Sequence, residues 1–328
     1  MSISLHDNFK ERSKWYNNRS SGVFPVLVSK NSDTSIVFQN YWLWKNKISE
    51  IFCIFRFRSH DGQSQISVKI DIKKHNEISL KTILKKIHLF NYGTVEVEII
   101  SPENLGFPFP ALLAFYSTGD EKSVVHTAGR ILNSNEDQRN YLWKETNFLS
   151  RLNKDFSPFI FLFFAKTQKK TANLKINFYN CIKNTKILSK KIKIVTESFG
   201  SKCIYIDQYL NLGEKKKLNN KDFFISFEIK IEGVFGRFVV GNLHKKTKHH
   251  FTTHSFQHID KHNKDFVKPL DEKPISTFLP IFNKKPLQVI AKSYPTNSES
   301  LINLDVYKSS LSKKMIKTKN KINFKTGG

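Results

Sequence analysis

Apolar and polar residues alternate along several segments of this chain. Residues 66 to 72 carry an apolar side chain at every second position, and residues 95 to 99 do the same with Glu96 and Glu98 in between. A period of two is typical of a half-buried strand, so we expect the two glutamates on a solvated face. Asp61-Gly62 predicts a tight hairpin turn. The alternation predicts a β-rich protein.

The same pattern returns further along the chain. The sequence Ser-Val-Val-His-Thr at 123–127 is matched by Phe-Thr-Thr-His-Ser at 251–255, which places His254 128 positions after His126. The acidic strand at 95–99 is matched by 227–231. Later, Leu-Ser-Lys-Lys at 188–191 recurs letter for letter at 311–314. Such self-similarity indicates two full copies of one unit and a third, partial copy.

The predicted fold is all-β, with each copy forming a small β-sandwich of jelly-roll or immunoglobulin-like type. Ser134 and Asp137 resemble a helix-capping box, which predicts a short helix or an ordered linker between the copies. The predicted boundaries are an N-terminal extension at 1–35, a first sandwich at 36–135, a linker with a candidate helix at 136–158, a second sandwich at 159–262, a linker at 263–287 and a truncated third copy at 288–328.

An alternating strand, an acidic strand, an apolar strand and a histidine strand follow one another in each copy. In the first copy the last three fall at 95–99, 111–116 and 123–130. This order resembles the sensory rhodopsin transducer family of small β-sandwiches. The resemblance implies a fold similar to carbohydrate-binding modules and implies no receptor partner.

The net positive charge of the chain adds polyanions to its candidate partners. The chain has 54 Lys and Arg against 28 Asp and Glu, a formal net charge of +26. Such an excess suits a polyanion, and non-specific nucleic acid is one such partner. The lysines are, however, spread in pairs through a chain rich in Asn, Ile and Phe, a composition typical of AT-rich coding sequence. Net charge alone therefore establishes no partner, and the oligomeric state stays open.

Cysteines and apolar runs bear on the cellular setting. Cys53, Cys181 and Cys203 form an odd set, which disfavours a disulfide framework. The N-terminus lacks the apolar core of a signal peptide, and the apolar run at 159–165 is too short for a membrane span. We therefore expect a soluble, cytoplasmic protein, with an unconventional export route left open.

The shared histidine gives the main candidate ligand site. Positions i and i+4 of a strand share a face, so His126 is expected beside Arg130 and His254 beside His258. A cationic, hydrogen-bonding pair suits an anionic or hydroxyl-rich ligand. The candidate neighbours are Tyr116, Asn133, Arg237 and Asn242. The alternative is a core histidine that hydrogen-bonds to a neighbouring strand.

Metal binding and catalysis are disfavoured. Histidines recur every four residues at His250, His254, His258 and His262, but the matching positions of the first copy are Lys122, His126, Arg130 and Ser134, so a physiological metal is not expected and no cofactor is predicted. Nucleophile elbow, P-loop, dinucleotide-binding and C-x-x-C motifs are missing from the sequence. An enzyme is therefore not favoured.

An aromatic pair offers a second candidate surface. Trp42 and Trp44 would share one face of a strand and could stack on sugar rings, although core packing is the alternative. The sequence thus predicts a non-enzymatic protein that binds carbohydrate or another polyanionic or hydroxyl-rich polymer. The alternatives are a polysaccharide-processing enzyme with its site between the copies and an electrostatic binder of nucleic acid.

Overall fold

The computed structural model describes residues 17–86, 92–126, 129–133, 136, 140–147, 149–167, 170–181 and 185–257, with short stretches between 300 and 324. The chain divides into two compact units, Met1–Gln257 and His258–Gly328. The first unit contains two β-sandwiches.

The first sandwich has eight strands in two antiparallel sheets. Its strands are β1 (Arg19–Pro25), β2 (Ser32–Gln39), β3 (Phe52–Ser59), β4 (Gln65–Ile70), β5 (His75–Ser79), β6 (Tyr92–Ile100), β7 (Leu112–Thr118) and β8 (Glu121–His126). The strand orders are β1-β6-β3-β4 and β5-β2-β7-β8. Two short helices, α1 (Tyr41–Lys45) and α2 (Leu80–Lys86), lie between strands. As predicted from Asp61-Gly62, β3 and β4 form a hairpin.

The second sandwich follows the two-residue strand β9 (Arg130–Ile131). Its strands are β10 (Asn140–Thr146), β11 (Ser150–Arg151), β12 (Phe156–Phe163), β13 (Lys170–Asn180), β14 (Lys186–Thr196), β15 (Ser201–Tyr205), β16 (Asp222–Glu232), β17 (Val234–Phe235), β18 (Val239–His244), β19 (His250–His254) and β20 (Phe256–Gln257). The main sheets have the orders β14-β13-β16-β10-β20, where β11 also pairs with β16, and β15-β12-β18-β19, while β17 pairs with β9. A 3-10 helix (Ile206–Tyr209) and α3 (Leu212–Leu218) join β15 to β16.

The two sandwiches have the same strand order. Strands β10, β12, β13, β14, β15, β16, β18 and β19 take the places of β1 to β8 in turn. The register agrees as well, because Val23 lies opposite Glu96 in the first sandwich and Lys144 lies opposite Glu228 in the second. The all-β sandwich fold is thus confirmed. The number of copies stays a prediction.

The structure places several boundaries differently from the sequence. The predicted extension at 1–35 contains β1 and the beginning of β2. The predicted linker at 136–158 contains β10 and β11 instead of a helix, and Ser134 and Asp137 lie outside the described residues. The alternation in β10 was hard to recognise because Leu142 is 54 % exposed on its outer face.

Strand β12 joins the two hydrophobic cores. Ile160 and Leu162 belong to the core of the second sandwich. Phe159 and Phe161 point the other way and belong to the core of the first. A strand buried on both faces has no polar positions to alternate, which accounts for its continuous apolar run.

The β3–β4 turn is also part of this junction. Gly62 has a φ of +71°, and a Cβ there would lie 1.9 Å from the Ser198 carbonyl oxygen. Nearby, the Ser201 backbone N–H donates to the His60 carbonyl at 2.8 Å. Glycine is required at this turn both for its left-handed backbone and for the close approach of the second sandwich.

The second unit contains four short described strands. They are β21 (Ser300–Ile302), β22 (Asp305–Tyr307), β23 (Met315–Lys317) and β24 (Ile322–Phe324). Strand β21 pairs with β24, and β22 pairs with β23, both antiparallel. Across the described part of the chain, no helix has the length and apolar character needed to cross a membrane.

Candidate functional site at the junction of the sandwiches

Two edge strands, β8 and β19, lie side by side where the sandwiches meet. Near their beginnings Glu121 accepts a hydrogen bond from the Thr247 hydroxyl. Further along, the Ser123 hydroxyl donates to the His250 carbonyl at 2.7 Å. At their ends His126 meets His254. Because these contacts advance together, the strands run in the same direction.

The two equivalent histidines bond directly to each other. Their Nε2 atoms are 3.1 Å apart, and the rings are nearly perpendicular at 85°. His254 Nδ1 is 2.8 Å from the Ser255 carbonyl oxygen, which can only accept, so this nitrogen carries the proton. In the neutral ring Nε2 is then the acceptor, and His126 Nε2 donates. The remaining nitrogen, Nδ1 of His126, is left to accept a proton.

The electrostatics separate the roles of the two rings. Burial lowers the pKa of His254 to about 4, the bond to the Ser255 carbonyl offsets part of this shift, and Arg237 and His126 lower the pKa further. Partial burial and Arg237 also lower the pKa of the exposed His126. His254 is therefore the buried neutral member of the pair, and His126 is the member that can gain a proton in place.

A buried carboxyl group lies in the same cluster. Glu145 is 4 % exposed, and its Oε2 accepts a hydrogen bond of 2.5 Å from the Ser255 hydroxyl. Burial raises the pKa of Glu145 to about 7, although Ser255 and Arg237 both oppose the shift. We call His126, Glu145, Arg237, His254 and Ser255 the junction cluster.

Arg237 supplies the permanent charge of the junction cluster. Its carbonyl accepts the Gly129 N–H at 2.7 Å, which fixes the backbone next to β9. Within the described residues its guanidinium makes no hydrogen bond, and the side chain is partly exposed. Arg237 was among the predicted neighbours of the histidine, and its charge lowers the pKa of both histidines of the cluster.

The other predicted neighbours lie elsewhere. Tyr116 is 2 % exposed, and its hydroxyl has no hydrogen-bond partner in the described part of the protein. Asn242 accepts from the Arg151 N–H at 2.9 Å, so its amide holds β11 in place. Asn133 is exposed and forms a turn with Glu136. None of these three side chains belongs to the junction cluster.

The predicted pairing of His126 with Arg130 on one strand face is wrong, because β8 ends at His126 and Arg130 begins β9. Arg130 is 2 % exposed, pairs with Glu136 at 2.6 Å and lies over the ring of Phe109 at 5.2 Å. The other predicted partner, His258, lies outside the described residues.

The four-residue histidine series does not converge where it can be followed. His250 Nε2 is 3.0 Å from the Tyr205 hydroxyl, whereas His254 bonds to His126. His258 and His262 lie outside the described residues. Among the residues that the structure describes, no group of three or more metal-ligating side chains is found.

The aromatic pair lies on helix α1 instead of a strand. Asn40 caps this helix by accepting the Leu43 N–H. Trp42 is 2 % exposed and donates from Nε1 to the Leu105 carbonyl at 2.9 Å, whereas Trp44 is 54 % exposed. Because a helix turns by about 100° per residue, the two rings do not share a face. Only Trp44 is accessible.

Glu96 and Glu98 are buried, which corrects the expectation of a solvated face. They are 1 % and 5 % exposed. They pair with three arginines from neighbouring strands: Arg19, Arg56 and Arg58. The guanidinium of Arg58 also lies over the ring of Phe199 from the second sandwich, at 4.8 Å. We call these two glutamates and three arginines the ion-pair face.

The matching face of the second sandwich carries lysines. Across its strands, Lys144 lies opposite Glu228, Glu228 opposite Lys175, and Lys175 opposite Lys191. Two residues further along their strands, Lys230 of β16 and Lys193 of β14 lie on the same face. We call these five lysines the lysine face. Lys144, Lys191, Lys193 and Lys230 are exposed, and within the described residues they make no ion pair.

Sequence reasoning found the histidines and Arg237 but missed Glu145, Ser255 and the lysine face. The only available clue to the lysine face was the alternation of lysines at 191 and 193. Comparison with protein-family models gives no match, and a search of curated proteins also gives none. What the chain binds is therefore inferred from its own geometry.

Proposed function

We propose that this chain is a non-enzymatic protein that binds an acidic polysaccharide on its lysine face. The observation that carries the proposal is the comparison of two matching sheet faces. On the ion-pair face each glutamate and each arginine is paired with an opposite charge, and all of them except the half-exposed Arg56 are buried. On the matching face of the second sandwich, Lys175 pairs with Glu228 at 3.1 Å, and four exposed lysines have no counter-charge within the described part of the chain.

The spacing of the lysines suits a linear polymer. Neighbouring strands lie about 4.8 Å apart, and alternate residues of one strand about 6.7 Å. The row from Lys144 through Glu228 and Lys175 to Lys191 crosses four strands. Like charges directly opposite each other destabilise a sheet, and Lys175 lies opposite Lys191. A bound polyanion would relieve that repulsion.

The surroundings of the lysines favour a polysaccharide over single-stranded nucleic acid. Base recognition without sequence preference uses exposed aromatic rings along the basic groove. Here the exposed apolar neighbours are Leu142 and Val195, at 54 % and 42 %. The aromatic pair on this side, Tyr179 and Phe224, is stacked ring on ring at 4.9 Å. Flat aliphatic surface beside lysines suits a carboxylated or sulfated sugar chain.

Two further considerations support binding without catalysis. The resemblance to carbohydrate-binding-module-like sandwiches stays a prediction, and it agrees with a sugar ligand. Glycoside hydrolysis requires two converging carboxyl groups, whereas Glu145 is the only carboxyl group of the junction cluster, within the part of the chain described.

The test compares two double variants with the same change in net charge. Lys191→Glu/Lys193→Glu reverses the lysine face, and Lys216→Glu/Lys217→Glu reverses exposed lysines on α3. Binding to polygalacturonate and dextran sulfate is measured by calorimetry, with uncharged dextran and random DNA as comparison probes. We expect about tenfold or greater weakening for the first variant only, with affinity falling as salt rises.

Three outcomes would contradict the proposal. The two double variants could lose affinity equally, so that net charge alone explains binding. Random DNA could bind more tightly than the acidic polysaccharides at equal salt, so that nucleic acid is the ligand. Lastly, neither acidic polysaccharide could bind at low salt.

A further inference from the structure

The two sandwiches differ at two positions of the junction in a way that packing does not require. Glu145 lies opposite Phe227 on β16, and the residue in its place in the first sandwich is Phe24, opposite Val95. Phe24 is fully buried. A carboxyl group thus replaces a phenyl ring in the interior of the same fold.

Arg237 shows the same kind of replacement. It lies 128 positions after Phe109, the separation that also relates His254 to His126. In the first sandwich the Phe109 ring packs 4.9 Å from Phe235 and lies beneath the Arg130 guanidinium. In the second sandwich the corresponding position carries a guanidinium without a hydrogen bond in the described region.

The replacement of the phenyl ring by Glu145 costs stability. Burying a carboxyl group with one hydrogen-bond donor is unfavourable, and the raised pKa of Glu145 reflects that cost. A fold that accepts phenylalanine at both positions has no structural need for the charges. Charged groups placed together in a partly accessible cluster at such a cost indicate a ligand site.

We propose that the junction cluster binds a small oxyanion, such as phosphate or sulfate, between the Arg237 guanidinium and the exposed His126 ring, with Glu145 as a built-in competitor. A guanidinium offers a planar fork of donors that matches two oxygens of such an anion. Once protonated on Nδ1, His126 adds a second donor while its Nε2 still donates to His254. This proposal does not depend on the lysine face.

The charges in the cluster make the site dependent on pH. The charge that acts on Glu145 is that of Arg237, and those that act on the histidines are Arg237 and, for His254, also His126. Above neutral pH the Glu145 carboxylate competes with an anion for Arg237. Below it Glu145 is neutral, and a bound anion favours the protonated form of His126, so anion binding strengthens as pH falls from 8 to 6.

The oxyanion could be a free ion or a sulfate or phosphate group on a polymer. Inorganic phosphate and inorganic sulfate are therefore titrated alone, and dextran sulfate is titrated in parallel. Binding of the inorganic ions by themselves identifies a site for a free ion. Binding of dextran sulfate that Arg237→Gln weakens, without measurable binding of inorganic sulfate, identifies a polymer-borne group.

The experiment follows the His126 ring signals by NMR during phosphate titration of the full chain at pH 6 and pH 8. We expect saturable binding that is at least tenfold tighter at pH 6, and a rise in the His126 pKa on saturation, because linkage is reciprocal. Arg237→Gln should lose the binding. Glu145→Gln, which keeps the shape and a hydrogen bond to Ser255, should bind phosphate more tightly at pH 8 than the parent protein does, and should keep only the part of the pH dependence that His126 contributes.

Matched controls separate this site from others. Lys191→Glu/Lys193→Glu should leave phosphate binding unchanged, so a failure of the lysine-face proposal and a failure here are distinguishable. Arg237→Phe, which introduces the residue type found in the first sandwich, should also lose phosphate binding. An unshifted His250 signal in this variant shows that its fold is retained. The proposal is overturned if Arg237→Gln binds phosphate as the parent does, if Glu145→Gln keeps the full pH dependence, or if neither the inorganic ions nor dextran sulfate produce a shift of His126.

Discussion

The ion-pair face and the lysine face occupy the same place in two sandwiches of the same strand order. In the first, glutamates of β6 lie between arginines of β1 and β3, and the second sandwich covers them. In the second, the matching strands present lysines to solvent. One sheet geometry thus supports an internal ion-pair network or an open basic surface.

The difference between the two faces shows how burial restricts the choice of charged side chains. Arginine is common in buried pairs because its fork satisfies several acceptor atoms, whereas lysine keeps a strongly hydrated ammonium group. The edge strands differ in the same sense. Val23 of β1 is apolar and 1 % exposed, whereas its counterpart Lys144 of β10 is charged and exposed. A face that is to be covered must balance its charges locally, and an open face need not.

The strongest test breaks one pair on each face. Glu96→Gln leaves the buried Arg58 without a counter-charge and leaves Arg19 with Glu98 as its close partner, and we expect a loss of about 3–5 kcal/mol in the free energy of unfolding. Glu228→Gln breaks the half-exposed pair with Lys175, which should cost less than about 1 kcal/mol. Urea denaturation measures both, and equal losses would refute the contrast.

A second test concerns the buried carboxyl group that has no counterpart in the first sandwich. The folded-state pKa of Glu145 is about 7 against an ordinary 4.5, so protonation of this group stabilises the fold at low pH, and the contribution is lost as pH rises through 7. Glu145→Gln should therefore gain stability relative to the parent protein by about 2–3 kcal/mol more at pH 8 than at pH 5. A difference that does not change with pH would exclude the raised pKa.

The smallest effect is expected on the lysine face. Lys191→Glu replaces the like-charge pair with Lys175 by an attractive pair, and we expect a gain of about 0.2–1 kcal/mol. Lys193→Glu is the matched control, because Lys193 lies opposite the neutral Asn173 and should change stability less. Thermal unfolding of the two variants makes the comparison, and a larger gain for Lys193→Glu would contradict it.

Much of the fold could be predicted from alternation, which identifies strands and the residues that share a face. Alternation does not reveal whether a second layer covers the outer face, and for that reason Glu96 and Glu98 were expected in solvent. Arg56 and Arg58 alternate on β3 in step with the glutamates of β6, and this pairing of opposite charges was the overlooked clue.

The candidate site was only partly predictable, for a related reason. Matching of the copies singled out His126 and His254, but it gives no information on whether equivalent residues touch. Glu145 lies in a segment predicted to be a linker. Its hydrogen-bond donor is Ser255, which directly follows β19 and is 110 residues away along the chain. Long-range neighbours of this kind follow from how the sandwiches pack and not from any local pattern.

The double burial of β12 has a consequence for symmetry. Two units related by a two-fold axis use identical surfaces on both sides of their contact. Here Phe159 and Phe161 of β12 pack in the core of the first sandwich, whereas Ile36 and Phe38 of the equivalent strand β2 stay in the core of their own sandwich, so the sandwiches contact each other through unlike surfaces. Such a heterologous relation does not close on itself. It gives the pair a polarity, with one sandwich covered on its outer sheet and the other exposed on the same sheet.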